Sequence, residues 1–172
     1  MKPIKLLIFV FSVAFILWSI SVAQHDTKME QGKSATAGHV MITPTTELRW
    51  TEPAALPAGV KLAVLEGDPS ATGSFTMRLK LPANFKIPAH WHPVDEHVTV
   101  LSGTFNMGMG DKLDEKAGKE LPQGSFVVMP AKTNHFAWTK VETVLQLHGT
   151  GPWGITYVNP NDDPRLKKGA AK

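Results

Sequence analysis

The stretch Pro88-Ala89-His90-Trp91-His92-Pro93-Val94-Asp95-Glu96 gathers two imidazoles and a carboxylate within seven residues. On an extended backbone, side chains at i and i+2 leave the same face, so His90 and His92 point the same way. Pro93 cannot donate to a strand ladder and marks a strand end or a bulge. Glu96 then follows closely enough to fold back toward the two histidines. Such a set is half of a site for one divalent metal ion, and mixed nitrogen and oxygen donors suit Mn, Fe, Ni, Zn or Cu. A metal held there can polarise a carbonyl, steady an enolate, or lower the pKa of a bound water. Glu96 would serve either as a ligand or as a catalytic base. Taken singly, each residue has a plainer reading: a lone histidine is usually surface or core, and a lone glutamate is usually a solvated acid.

The elements that must position these groups read as short strands. Val60 to Leu65 is a strand-like run closed by Gly67-Asp68-Pro69. In Ser74 to Lys80, Phe75, Met77 and Leu79 alternate with Thr76, Arg78 and Lys80, the period of a half-buried strand. Phe85 to His92, His97 to Leu101 and Thr104 to Met109 follow, then a charged loop over Asp111 to Lys119. Ser125 to Met129, His135 to Trp138, Thr143 to His148 and Trp153 to Val158 complete the set. No window shows a period of 3.6 and no repeat is present. Eight to ten short strands separated by turns predict an all-β fold, an antiparallel jelly-roll barrel or sandwich.

A second feature appears downstream. His90-x-His92-x3-Glu96-x6-Gly103 and Gly124-x5-Pro130-x4-His135 resemble the two sequence motifs of the cupin superfamily. The resemblance covers residues 84–139 and, through the flanking strands, about 59–158. It implies a jelly-roll barrel in which His90, His92, Glu96 and His135 together hold one metal ion. It also implies a small-molecule ligand or substrate, oxygen chemistry beside a chelating substrate in many members, and pairing as a homodimer. Three motif positions depart from the pattern: Asn84 and Lys132 stand where glycines are usual, and Thr139 where an asparagine is usual. These are turn or framework positions rather than ligands. Asn tolerates left-handed backbone geometry, so Asn84 can take the glycine's part.

Other residues carry weaker signals. His97 follows Glu96 and is expected on the opposite face of the strand. Gln146 and His148 share one face of their strand, and Leu145 and Leu147 share the other. If the leucines fill the core, the polar pair is exposed; if the polar pair faces inward, it lines the pocket. Trp91, Trp138, Phe136, Met107 and Met109 read as core or interface packing.

The chain has 172 residues, 42% hydrophobic and 19% charged, enough for one globular domain with a real core. Lys2 and Lys5, the apolar run Leu6 to Ile20 and the small residues of Ser21-Val22-Ala23 form the three parts of a secretory signal. The apolar run is short for a membrane span. The expected organisation is therefore a signal peptide at 1–23, a polar leader at 24–46, a barrel domain at 47–159 and an irregular basic tail at 160–172. After cleavage the chain would be periplasmic or secreted, with no stable membrane anchor. Without residues 1–23 the balance is 16 basic to 15 acidic residues, which argues against nucleic acid as a partner. The chain has no cysteine, which excludes disulfides, thiolate catalysis and cysteine-ligated metals. It also lacks a nucleophile elbow, a phosphate loop and a zinc-protease helix. The expected function is that of an exported metal-dependent enzyme, oxygenase-like first and a Lewis-acid isomerase or lyase second. The alternative is a non-catalytic binding or sensing module for a small molecule or metal.

Overall fold

Alternation of apolar and polar residues forces one face of each strand against a partner layer, and this chain supplies that alternation repeatedly. The computed structural model describes residues 43–167, apart from the Lys167 side chain. All of these lie in one unit, Met41–Lys172. The expectations for a signal peptide and for most of the leader fall outside the described residues. Among the described residues no helix is long and apolar enough to cross a membrane.

Ten strands form: β1 (Lys61–Glu66), β2 (Gly73–Leu81), β3 (Phe85–Trp91), β4 (Glu96–Ser102), β5 (Thr104–Met109), β6 (Lys119–Pro122), β7 (Phe126–Met129), β8 (His135–Thr139), β9 (Thr143–Gly151) and β10 (Thr156–Tyr157). They build two five-stranded antiparallel sheets, ordered β1-β2-β9-β4-β7 and β10-β3-β8-β5-β6. This is the jelly-roll architecture expected from the strand pattern. The core lies between the sheets. Phe75, Met77, Leu79 and Leu81 of β2, Val98 and Val100 of β4, and Leu145 and Leu147 of β9 pack with Ile87, Phe105, Met107 and Ala137 of the second sheet. Burying each large side chain of this kind contributes about 1.5–3 kcal/mol. A smaller cluster of Ala89, Phe136 and Trp138 covers the outer face of the second sheet, with Leu113 of the β5–β6 loop and Val158 packed against it.

The turns explain the motif residues. Gly103 links β4 to β5 at φ 76°, and a Cβ there would strike the Glu142 carbonyl oxygen. Asn84 sits at φ 54° and Lys132 at φ 59°, so both adopt the left-handed geometry for which glycine is usual. Lys132 uses that geometry to donate its backbone N–H to the His92 carbonyl at 2.7 Å, tying the two histidine-bearing loops together.

Two stretches differ from the sequence reading. Lys119–Pro122 joins the sheet edge as β6, although its residues show no apolar alternation; an edge strand needs only one neighbour, here β5. The chain after Pro160 is not irregular as far as Lys167. It forms a 3-10 turn at Pro160–Asp162 and one helical turn at Pro164–Lys167. Arg165 ties this segment back, donating to the Asp163 carboxylate and, at 3.1 Å, to the Ile155 carbonyl.

Candidate metal centre

The site begins with a break in regular pairing. The register of β3 against β8 shifts between Ile87 and His90. Ile87 belongs to the inner core and His90 lines the same interior, yet they are three residues apart. A regular strand would put them on opposite faces. The bulge adds the residue that re-aims His90, and His92 after it, into the barrel. Pro88 sits within the shift, where its missing N–H costs no ladder bond.

Glu96 starts β4, pointing inward with Val98 and Val100, and pairs with Met129 of β7. His135 starts β8 and pairs with His90. All four side chains are buried, between 3% and 6% exposed. The imidazole centroids lie 4.2 Å apart for His90–His135, 5.0 Å for His90–His92 and 5.2 Å for His92–His135. One ring nitrogen from each lies within 4.8 Å of the others, a spacing suited to three ligands around one ion.

The hydrogen bonds show which nitrogens are free. His90 Nδ1 bonds the Pro88 carbonyl at 2.7 Å, His92 Nδ1 the Gly154 carbonyl at 2.7 Å, and His135 Nδ1 the Thr133 carbonyl at 2.9 Å. A carbonyl only accepts, so each Nδ1 carries the proton and each Nε2 presents a lone pair. His92 Nε2 is buried with no hydrogen-bond partner. This is the outer arrangement that metal-ligating histidines show, with the second nitrogen fixed by a backbone acceptor. Burial, followed by the neighbouring His135 and His92 rings, holds the His90 pKa well below its ordinary value. Burial likewise lowers that of His135, against an opposing hydrogen bond to Thr133. Both are therefore neutral and ready to ligate at neutral pH. The donor set fits a divalent ion of the Mn, Fe, Ni, Zn or Cu group.

Glu96 adjoins this group from the side. Its Oε2 lies 3.5 Å from His92 Nε2, while its Oε1 accepts from the Trp153 indole N–H at 2.9 Å. Trp153 also stacks on the His92 ring, with centroids 5.0 Å apart and planes 21° from parallel. One loop therefore holds His92 on two sides and Glu96 on a third. Sequence reasoning missed Trp153, which it read as the first residue of a strand, and missed the carbonyl of Gly154. Neither has any spacing relation to His92, because β9 must return before the contact exists. Tyr157 lies near His90, but its hydroxyl bonds the Ala55 carbonyl at 2.9 Å, and burial pushes its pKa up, so it is a neutral strut.

Of the two alternatives for β9, the structure takes the one in which the leucines fill the core. Leu145 and Leu147 face the interior, so Gln146 and His148 do not line the pocket. Gln146 accepts from the Arg78 guanidinium at 3.2 Å, and His148 stacks outside on His97, with centroids 4.9 Å apart. The physical reason is the second sheet, which packs on the leucine side and leaves the polar side to solvent. Met109, read as packing, is 54% exposed at the strand end. The interior space beside the histidines is small, about 30 Å³, and apart from His90, His92, Glu96, His135 and Trp153 its lining is apolar.

Comparisons with known proteins agree with this fold. The ChrR Cupin-like domain matches residues 38–154, well over half the chain. No curated protein sequence matches it. Among solved structures the chain is similar to the polyketide cyclase RemF from Streptomyces resistomycificus, with TM-score 0.61 and 14% identity over 77% of this chain and 95% of that one. It is similar to a protein from Methylibium petroleiphilum PM1 provisionally described as an acetylacetone dioxygenase, with TM-score 0.56 and 18% identity over 80% and 99%. It is also similar to the DMSP lyase DddQ from Ruegeria pomeroyi DSS-3, with TM-score 0.53 and 18% identity over 65% and 61%. At these identities the likeness concerns the fold. With both histidine motifs on neighbouring strands of a jelly roll, and the family profile spanning them, the chain belongs to the ChrR cupin-like family within the cupin superfamily.

Proposed function

We propose that this protein is an exported, metal-dependent enzyme acting on a small molecule, with oxygenase or other oxidoreductase chemistry first and Lewis-acid isomerase or lyase chemistry second. The observation that carries the reading is the set of three buried imidazoles whose Nδ1 atoms are all tied to carbonyls and whose Nε2 atoms converge. A bound metal would be held by His90, His92 and His135, with Glu96 beside them, and would supply Lewis acidity or redox capacity. The chain's own residues do the rest. The leucine, valine and methionine walls exclude water, and Trp153 holds one oxygen of Glu96, leaving the other toward His92 as a ligand or proton acceptor. The related folds include proteins described as a cyclase, a dioxygenase and a lyase, which supports small-molecule chemistry as the class.

The test is to purify the mature protein, load it separately with Mn, Fe, Ni, Zn and Cu, and follow oxygen consumption and product formation over diketones, phenols and thiols. Turnover that disappears in His135→Ala is expected. An absence of turnover with every metal would favour a binding module, the second reading. In that case a ligand would raise the melting temperature without being converted. Export rests on Lys2, Lys5, the apolar run and Ala23. N-terminal sequencing of protein recovered outside the cytoplasm should begin at Gln24, and an intact Met1 there would refute cleavage.

A further inference from the structure

We infer that the groove between β7 and the β5–β6 hairpin is the access route and apolar subsite for the ligand, a small molecule with a chelating polar head and an apolar body, gated by Met107 and Met129. This rests on the metal-centre reading and deepens it. The interior space of about 30 Å³ cannot hold a ring, since a cavity that binds benzene is nearer about 150 Å³. A ligand with an apolar body of that size reaches the histidines only if a wall gives way, and one wall has open space behind it. Outside the barrel a groove of about 330 Å³ is lined by Met107, Met109, Val127, Val128 and Met129 among others. Met107, Val127 and Met129 also line the interior, so a partition one side chain thick separates groove from site.

The partition stands directly against the site residues. Met129 is the register partner of Glu96, and Met109 that of His135. Methionine is unbranched and changes rotamer readily, unlike the branched Leu145, Leu147 and Ile87 that form the other walls. Strand β7 lies at the edge of its sheet, bonded only to β4, so Val127 and Met129 can give way without breaking a second ladder. Two of the exposed large apolar side chains, Met109 at 54% and Val128 at 41%, line this groove. Exposed apolar surface continuous with a polar centre is what an amphipathic small molecule needs, its head at the histidines and its body along the methionines.

The probe is 4-nitrocatechol, whose absorption changes when its two hydroxyls chelate a metal, with azide as a probe too small to need the gate. Full-length mature protein loaded with metal is expected to bind both. Met129→Trp should slow nitrocatechol association by about tenfold or more, and far more than it slows azide association. Met129→Ala should speed association. Met109→Trp, at an exposed position that tolerates bulk, should act like Met129→Trp if the latter fails to fold by circular dichroism. An unchanged association rate in folded Met129→Trp or Met109→Trp overturns the route. So does azide binding to the wild type with no nitrocatechol binding. So does a solution dimer split by Val128→Glu with nitrocatechol binding unaltered, because the groove would then be a subunit interface. A wild type that retains no more metal than His135→Ala would instead sink the metal centre itself, a result that metal analysis separates from the others.

Discussion

Among the described residues there are two histidine groups, each on a pair of neighbouring strands, and their surroundings make them different chemical objects. Inside the barrel, His90, His92 and His135 each give Nδ1–H to a carbonyl and turn Nε2 toward a common point. Outside, His97 and His148 are register partners on β4 and β9, stacked 21° from parallel, with Phe126 alongside His97. His97 immediately follows Glu96 in the chain, yet one residue of strand moves it from the ligand face to the solvent face. The outer rings pack on one another, and among the described residues no further histidine or acid joins them in a group that could hold an ion. Residue type is the same in both groups; backbone acceptors and an apolar enclosure make one of them a group that could hold a metal ion.

The strongest way to break this contrast is to delete one histidine from each group. His135→Ala should weaken metal binding by more than about a hundredfold, beyond the usual effect of removing an outer-sphere partner. A competition titration against a coloured chelator measures it, and retention of wild-type affinity would end the distinction. A finer test is Trp153→Phe, which keeps an aromatic ring on His92 and removes the donor to Glu96. Metal affinity should fall by about tenfold, with a thermal stability loss of about 1 kcal/mol or less from the missing hydrogen bond.

Acid should separate the groups next. His90 and His135 have pKa values lowered by burial in the folded protein, against an ordinary value of 6.5. Above that pH both folded and unfolded forms are neutral at these positions, so the pair costs nothing. Below it the unfolded chain takes up protons that the folded chain refuses, and stability falls by at most about 1.4 kcal/mol per pH unit for each histidine. Melting temperatures of metal-free protein between pH 8 and pH 5 should decline below about pH 6.5. The decline should be shallower in His135→Gln, which cannot titrate. The smallest effect is expected outside: His148→Ala should change stability by no more than about 0.5 kcal/mol and leave metal affinity untouched. A loss comparable to that of His135→Ala would show that the outer pair takes part in the site.

Much of the fold was readable because alternation is local. The faces of β2, β4 and β9 follow from period two, and Asn84 met the left-handed geometry that its motif position requires. What was not readable shares one cause. Lys119–Pro122 becomes a strand only because β5 offers a free edge. Trp153 reaches Glu96 only across 57 positions of chain. The conversion of His90 to an inward residue needs a register shift against β8, which is a property of two strands rather than one.

By itself the sequence determined an antiparallel β-rich domain without cysteine, the identity of the converging histidines, and the split of Leu145 and Leu147 from Gln146 and His148. The β-rich class and the split along β9 follow from side-chain type and the two-residue repeat of an extended chain, whereas His135 joined His90 and His92 only through the resemblance of its motif to that of the cupin superfamily. Only the tertiary structure decided which of the two faces of β9 is the inside, how Trp153 and Gly154 brace His92, and how little room is left beside the inner histidines. Facing is set by where the second sheet packs, and room by how the side chains of both sheets interlock, and neither quantity exists until the strands are assembled.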